Sequence, residues 1–180
     1  MLKTHLQFWI TSRRVDAWSE KVNVFFVLAI GRSGTSFLAH LLDQAPGAHV
    51  VHEPIGEDFM AYQEAFHDPD AARSYVHRFR KKEIYLRARA VQMEHMEAYG
   101  EVNSALRRHA RALAAAFPDA VLFHLVRDGR DVVRSMSARW TMTPEDKNTN
   151  AIRPRPGDPW AGKWEQMDRF ARLCWYWQVE

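Results

Sequence analysis

Short continuous apolar runs mark three places along the chain as predicted strands. Residues 22–30, 48–52 and 121–126 are rich in branched and aromatic side chains, and each run is followed directly by a glycine or a charged residue. Runs of this length and composition are typical of parallel strands that are covered on both faces. The pattern therefore predicts three buried strands, each with a polar segment at its carboxyl end.

Between these runs the apolar positions recur at the spacing of a helix. Helices are predicted from Thr35 to a stop at Pro46-Gly47, over most of residues 57–99 with a break near Asp68-Pro69, over residues 104–117 and 129–139, and around Trp164 and Trp175. Asp128 is the predicted N-cap of the helix that begins near Gly129. Strands that alternate with helices indicate an α/β fold with a central parallel sheet.

Length and composition fit one folded unit. The chain has 180 residues, 47% of them hydrophobic, which is enough for one packed core. We therefore expect residues 1–180 to form a single domain, with residues 57–99 as a helical insertion. The last predicted helix reaches Glu180 without a stop signal, so we expect the domain to lack its C-terminal part.

Composition disfavours several classes of protein. The formal net charge of +3 lacks the concentrated bias of nucleic-acid binders, so no nucleic-acid partner is expected. Cys174 is the only cysteine, which excludes an intrachain disulfide and a cysteine-built metal site, and no other spacing suggests a metal. The longest apolar run, residues 24–30, is too short to span a bilayer, and residues 1–18 lack a signal-peptide core. A cytoplasmic location is expected.

A glycine turn, Gly31-Arg32-Ser33-Gly34, joins the first predicted strand to the first predicted helix. In such an arrangement the backbone N–H groups and the positive helix N-terminus bind phosphate. Thr35 and Ser36 add hydroxyl groups, and Arg32 adds a fixed cation. Only two residues separate the glycines and no lysine follows, so the turn is not a Walker A loop. The alternative is an ordinary strand–helix turn.

Arg127 and Ser135 form a second candidate anion site. Arg127 follows the strand predicted at residues 121–126, and Ser135 lies on the next helix, where its hydroxyl can return towards the arginine. Such a pair suits a second, separate phosphate. The alternative is a solvated turn at Arg127, held by local ion pairs that contribute little.

Together the two sites resemble the signature motifs of PAPS-dependent sulfotransferases. Residues 26–42 match the loop that binds the 5′-phosphosulfate in that family, and residues 122–136 match the segment that binds the 3′-phosphate; the resemblance spans residues 22–140. It implies a P-loop-like three-layer fold with a central parallel sheet. The residues implied to bind PAPS are Arg32, Ser33, Gly34, Thr35, Ser36, Arg127 and Ser135.

The same resemblance implies an activity. A member of this family transfers the sulfuryl group of PAPS to a hydroxyl or amine of a small-molecule or glycan acceptor, without a metal, and releases adenosine 3′,5′-bisphosphate. The arginine of the loop and the sequence His52-Glu53-Pro54 are closer to the carbohydrate and tyrosyl-protein branches than to the cytosolic phenol and steroid branch. The latter has a catalytic histidine where this chain has residues 101–104, so that base is missing here.

Glu53 is the candidate general base. It ends the strand that is expected to lie next to the strand carrying the glycine turn. A glutamate serves as base at this place in the similar branches, and Arg32 is the candidate for stabilising charge on the leaving group. The alternative for Glu53 is a structural pairing with an arginine. Glu101 is a second candidate base. His52 is expected to point to the opposite side of its strand from Glu53.

Three features stay open at this stage. Asn103 and Ser104 are expected to cap the next helix rather than to orient substrate. The irregular segment 141–159 is a candidate acceptor-side lid. Two other functions compete with sulfuryl transfer: a P-loop-type nucleotide phosphotransferase, and a non-catalytic nucleotide-binding fragment.

Overall fold

The computed structural model describes residues 13–91 and 95–180, and a four-stranded parallel sheet lies at its centre. The strands are β1 (Asn23–Ala29), β2 (Ala48–His52), β3 (Ala98–Asn103) and β4 (Val121–Leu125), in the order β2-β3-β1-β4. β1 pairs with both β3 and β4, and β2 pairs with β3. The expectation that the strand ending at Glu53 lies next to the strand carrying the glycine turn is wrong, because β3 separates β2 from β1. Because all strands are parallel, their carboxyl ends lie along one edge of the sheet.

Helices flank this sheet. They are α1 (described at residues 13–19), α2 (Thr35–Leu42), α3 (Glu57–His67), α4 (Pro69–Tyr75), α5 (Lys81–Ala90), α6 (Ala110–Ala116), α7 (Gly129–Ser137) and α8 (Arg169–Val179). A π-helical turn, Val76–Arg80, joins α4 to α5, and 3₁₀ turns occupy Arg107–His109 and Ala161–Gln166. The predicted α/β fold with a central parallel sheet is confirmed.

The predicted strands 22–30, 48–52 and 121–126 are present as β1, β2 and β4. The prediction of helix up to residue 99 is wrong at its end, because β3 begins at Ala98. β3 has the sequence Ala-Tyr-Gly-Glu-Val-Asn, which contains no continuous apolar run from which a buried strand could be predicted. Its polar residues are buried because partners from other elements satisfy them.

Each face of the sheet has its own apolar cluster. Val27, Val50 and Val102 pack with Ala39 of α2 on one face. The opposite face packs against α1, α5 and α6. Its largest fully buried side chains are Phe26, Tyr99, Ile84, Leu113 and Phe117. A third cluster, which includes Tyr62, Val132 and Leu173, joins α3, α7 and α8. It also contains Trp164 and Trp175, whose ring centroids lie 4.9 Å apart in an edge-to-face arrangement.

A buried charged cluster ties three elements to the sheet. Arg80, from the π-helical turn, is 0% exposed and donates from Nε to Asp58 Oδ1 of α3 at 2.8 Å and from Nη2 to Glu101 Oε2 of β3 at 2.5 Å. Tyr75 donates to Asp58, and Tyr99 donates to Glu101. We call these residues the Arg80 cluster. Burial alone lowers the pKa of Arg80, but the carboxylates of Glu101 and Asp58 raise it above its usual value.

None of the helices in the described part of the chain has the length and apolar character needed to cross a membrane. Among the same residues, no group of three or more His, Cys, Asp or Glu side chains is arranged to hold a metal ion.

Candidate functional site

A cleft of about 640 Å³ opens at the carboxyl ends of the strands. It lies where ligands bind in open α/β sheets, outside the strand ends. Apart from Ser33 and the second candidate base Glu101, the site residues expected from the sequence line it: they are Arg32, Gly34, Thr35, Ser36, Glu53, Arg127 and Ser135. Arg32 and Ser135, which are 103 positions apart in the chain, therefore line the same cavity.

The glycine turn leads into α2 with two left-handed residues. Arg32 has a φ of 73° and Gly34 a φ of 97°. Arg32 carries a side chain in a backbone region that disfavours one, and such strain is concentrated at ligand-binding turns. Gly34 is the N-cap of α2, no side chain caps this helix, and its first turn has no acidic residue. The positive N-terminal end of α2 is therefore not neutralised by the helix itself.

The hydroxyl groups of the turn have different environments. Ser33 is buried, and its Oγ has no hydrogen-bond partner among the described residues. A buried hydroxyl without a partner is costly, which fits a group that bonds to a ligand. Thr35 Oγ1 lies 2.9 Å from His52 Nε2. The turn thus combines an unpaired hydroxyl, an uncapped helix end and the Arg32 cation, as a phosphate-binding site requires.

Hydrogen bonds join the two predicted motifs directly. Arg32 Nε donates to Ser135 Oγ at 3.1 Å, and Arg127 Nη1 donates to the backbone oxygen of Arg32 at 3.1 Å. Ser135 is thus brought back to the strand ends as expected, but the arginine that it contacts is Arg32. The two motifs form one continuous surface.

Local sequence explains how α7 presents Ser135. Asp128 accepts a hydrogen bond from the backbone N–H of Arg130 at 2.9 Å, so the predicted N-cap is confirmed. The Arg130 side chain also donates to this carboxylate, and these hydrogen bonds lower the pKa of Asp128 to about 2. The cap fixes the start of α7 at Gly129, two residues after Arg127. The start of the helix determines which of its faces is turned towards the cleft, and Ser135 lies on that face.

Glu53 lies in the cleft directly after β2. Its backbone has a φ of 42°, and its side chain is 21% exposed. Glu53 Oε1 accepts hydrogen bonds from the Ser104 backbone N–H at 3.2 Å and from Ser104 Oγ. The left-handed backbone at Glu53 breaks the alternation of the strand. His52 and Glu53 therefore both line the cleft, with Nε2 and Oε1 3.8 Å apart, and the expectation that they point to opposite sides is wrong.

The second candidate base, Glu101, is not in the cleft. It is 0% exposed and belongs to the Arg80 cluster, where Arg80 and Tyr99 occupy its carboxylate. Glu101 lies on β3 two residues before the strand ends, on the face turned towards α5 and α6. It is a structural ion-pair partner.

Asn103 and Ser104 have separate roles. Asn103 Oδ1 accepts from the backbone N–H groups of Ala105 and Leu106, in the turn that precedes the next helix. Neither the 3₁₀ turn at Arg107–His109 nor α6 has a side-chain cap, so the expectation that Asn103 and Ser104 cap the next helix is wrong. Ser104 lines the cleft and bonds to Glu53 instead.

One wall of the cleft was not foreseen from the sequence. The Arg107 guanidinium lies 4.0 Å from the centre of the Tyr62 ring, and its Nη2 donates to the Tyr176 hydroxyl at 2.5 Å. Arg107 also pairs with Glu180, and burial raises the pKa of Tyr62 above its usual range. In the sequence Arg107-Arg108 resembles a solvated helix face, so only the tertiary contacts reveal this wall.

The rim of the cleft combines aromatic and polar side chains. Phe37 and Trp140 are 73% and 70% exposed there. Segment 141–159 contains neither helix nor strand, and it borders the cleft through Thr141, Asp146, Asn148 and Thr149. Gln63 of α3 holds this segment by donating to the backbone oxygen of Asn148 at 2.8 Å.

A family model described as the sulfotransferase family matches residues 25–175, which include every element that lines the cleft except the last residues of α8. A search of curated proteins gives no match.

Proposed function

Because the chain belongs to the sulfotransferase family, we propose that it transfers the sulfuryl group of PAPS to a hydroxyl or amine acceptor and releases adenosine 3′,5′-bisphosphate. The observation that carries this proposal is the hydrogen-bonded junction of the two motifs. Arg32 contacts Ser135 and Arg127 contacts Arg32, so two anion-binding groups face one cleft. A bisphosphate nucleotide needs such a pair of neighbouring sites.

The donor half of the site is assigned to the glycine turn and the start of α7. The uncapped N-terminus of α2, Arg32 and the hydroxyls of Ser33, Thr35 and Ser36 bind the 5′-phosphosulfate, and Gly34 lets the backbone approach it. Arg127 and Ser135 bind the 3′-phosphate. PAPS supplies an activated sulfuryl group whose leaving group is a phosphate oxygen of the nucleotide. Arg32 stabilises the negative charge that develops on that oxygen.

Glu53 is assigned the general base. Its carboxylate accepts the proton of the acceptor hydroxyl while the acceptor oxygen forms a bond to sulfur and the bond from sulfur to the phosphate oxygen breaks. The carboxylate is partly shielded from water, and Ser104 orients it. Residues of this chain provide all of these roles, and the proposal assigns none to a metal.

The acceptor is assigned to the rim side of the cleft, as a small molecule or a glycan. Trp140 and Phe37 offer exposed aromatic faces, and segment 141–159 adds polar groups. The Arg-containing turn and His52-Glu53-Pro54 favour a relation to the carbohydrate and tyrosyl-protein branches.

The direct test uses ³⁵S-labelled PAPS with a panel of acceptors: a phenol, a tyrosine peptide and an amino-sugar oligosaccharide. The wild-type protein should label at least one acceptor and release adenosine 3′,5′-bisphosphate in equal amount. Glu53→Gln should reduce transfer by about 10²- to 10⁴-fold, the usual contribution of a general base, with nucleotide affinity retained.

Two outcomes would count against this function. Phosphoryl transfer from ATP without any use of PAPS would favour a phosphotransferase. Tight binding of adenosine 3′,5′-bisphosphate with no transfer to any acceptor would favour a non-catalytic nucleotide-binding protein.

A further inference from the structure

Buried hydrogen bonds of Asn103, the last residue of β3, hold the turn that contains Ser104. Asn103 is 0% exposed, and its Nδ2 donates to Asp58 Oδ2 at 2.9 Å. Its Oδ1 accepts from the backbone N–H groups of Ala105 at 2.9 Å and Leu106 at 3.2 Å. Both ends of this amide are engaged, so the backbone on either side of Ser104 has little freedom.

The Arg80 cluster fixes the partner of Asn103 in turn. Arg80 donates to both oxygens of Asp58, at 2.8 and 3.0 Å, and Tyr75 donates to Oδ1 at 2.7 Å. Arg80 and Asp58 are buried, where satisfied hydrogen bonds hold their geometry well. The scaffold under Ser104 is therefore rigid.

A second clamp acts on Ser104 from the cleft side. The backbone oxygen of Ser104 accepts a hydrogen bond from Arg107 Nη1. Arg107 is itself held by Glu180 and Tyr176. Ser104 is 5% exposed, so its hydroxyl has few alternatives to the contact that it makes.

That contact is with one oxygen of Glu53. The backbone N–H and the Oγ of Ser104 both donate to Glu53 Oε1. No hydrogen bond among the described residues engages Oε2. Two donors to one oxygen fix the orientation of the carboxylate, and with it the direction of the second oxygen. His52 Nε2 lies 3.8 Å from Oε1.

We propose that Ser104 is a positioning residue for the transfer reaction: it holds Oε1 of Glu53 so that Oε2 is presented to the acceptor. This inference rests on the proposed function of Glu53. Ser104 touches neither reacting group in this account and acts only through the carboxylate. The Arg80 cluster, through Asn103, and Arg107 keep the turn after β3 in place, so that Ser104 stays within hydrogen-bond distance of Glu53.

The test compares Ser104→Ala with wild type in the ³⁵S-labelled PAPS assay. Loss of the hydroxyl should lower kcat about 10- to 100-fold, as expected for one hydrogen bond to a charged group, with KM for PAPS unchanged. Calorimetry should give wild-type affinity for adenosine 3′,5′-bisphosphate.

A double-mutant cycle separates positioning from a general structural role. In the Glu53→Gln background, Ser104→Ala should cause no further loss of transfer, since the serine acts only through the carboxylate. A structural role would lower activity in both backgrounds. Ser104→Cys, which keeps the side-chain size but donates weakly, gives the same comparison if the alanine variant does not fold.

Ser19→Ala is the matched control, because Ser19 also donates from Oγ but to the backbone oxygen of Asp16, at the end of α1. It should keep wild-type kcat. Wild-type kcat in Ser104→Ala would overturn the role of Ser104 while leaving the function intact. Failure of the wild-type protein itself to transfer the label would overturn both.

Discussion

At the scale of single residues, the sequence was sufficient to place side chains in the cleft but not to predict which charged side chains pair with each other in the core. Arg32 and Arg127 were expected at the site because each follows a predicted strand, and both line the cleft. Glu101 was expected as a second candidate base, yet its carboxylate pairs with Arg80 in the core. Arg80 lies in a basic stretch that resembles a solvated helix face, so a buried ion pair between the two was not predictable from the sequence.

Replacement of Arg80 should be costly. Arg80→Ala leaves the carboxylates of Asp58 and Glu101 buried without their cation, which should lower the free energy of unfolding by about 3–5 kcal/mol. Arg78→Ala, an exposed position in the same π-helical turn, should change it by less than about 0.5 kcal/mol. Urea unfolding monitored by circular dichroism measures both. Equal stabilities for the two variants would show that the Arg80 cluster does not stabilise the fold.

His109 should make stability depend on pH. It is 0% exposed, neither ring nitrogen has a hydrogen-bond partner among the described residues, and burial lowers its pKa to about 4. The unfolded chain therefore binds a proton more readily than the folded protein. The stabilising contribution of neutral His109 is complete above about pH 6.5 and is lost as pH falls towards 4, by up to about 3 kcal/mol.

Urea unfolding between pH 7 and pH 4 checks this expectation. His109→Phe has an aromatic ring of similar size that does not titrate, so its stability should fall less over this range than that of wild type. His77→Gln, at an exposed position, should retain the wild-type pH dependence. An unchanged slope in His109→Phe would show that His109 is not the group responsible.

At the scale of elements, uniform apolar runs were sufficient to predict β1, β2 and β4, and the Asp128 cap was sufficient to predict the start of α7. β3 escaped prediction because its burial depends on distant partners. Tyr99 and Glu101 belong to the Arg80 cluster, and Gly100 lies opposite Phe25 of β1. Local sequence contains no signal for contacts of this range.

At Gly100 of β3, the Phe25 ring of β1 occupies the space that a side chain would need. A Cβ at Gly100 would lie 2.1 Å from Phe25 Cζ, so the Phe25 ring would have to move. Gly100→Ala should lower the free energy of unfolding by about 1–3 kcal/mol through overpacking. Gly56→Ala is the control: it has open space and a helical φ of −65°, so it should be neutral or stabilising by about 0.4–1 kcal/mol. Thermal unfolding with no difference between them would contradict the packing of β1 against β3.

At the scale of the whole molecule, function depends on the order of the strands. The order β2-β3-β1-β4 brings the segments after all four strands to one edge, so Arg32, Glu53, Ser104 and Arg127 meet in one cleft. The sequence predicts that each motif lies at a strand end. It does not predict the strand order, the Arg32–Ser135 contact or the Arg107 wall, since these follow from packing between elements far apart in the chain.

The central claim is that the two motifs bind one bisphosphate nucleotide, and calorimetric titration with adenosine 3′,5′-bisphosphate tests it most directly. Wild type should bind one nucleotide per chain without competition from ATP. Arg32→Ala and Arg127→Ala should each weaken binding about 10- to 100-fold through loss of charge-assisted hydrogen bonds. Arg134→Ala, which removes an exposed arginine beside Ser135, should retain wild-type affinity. Unchanged affinity in both Arg32→Ala and Arg127→Ala would contradict the account.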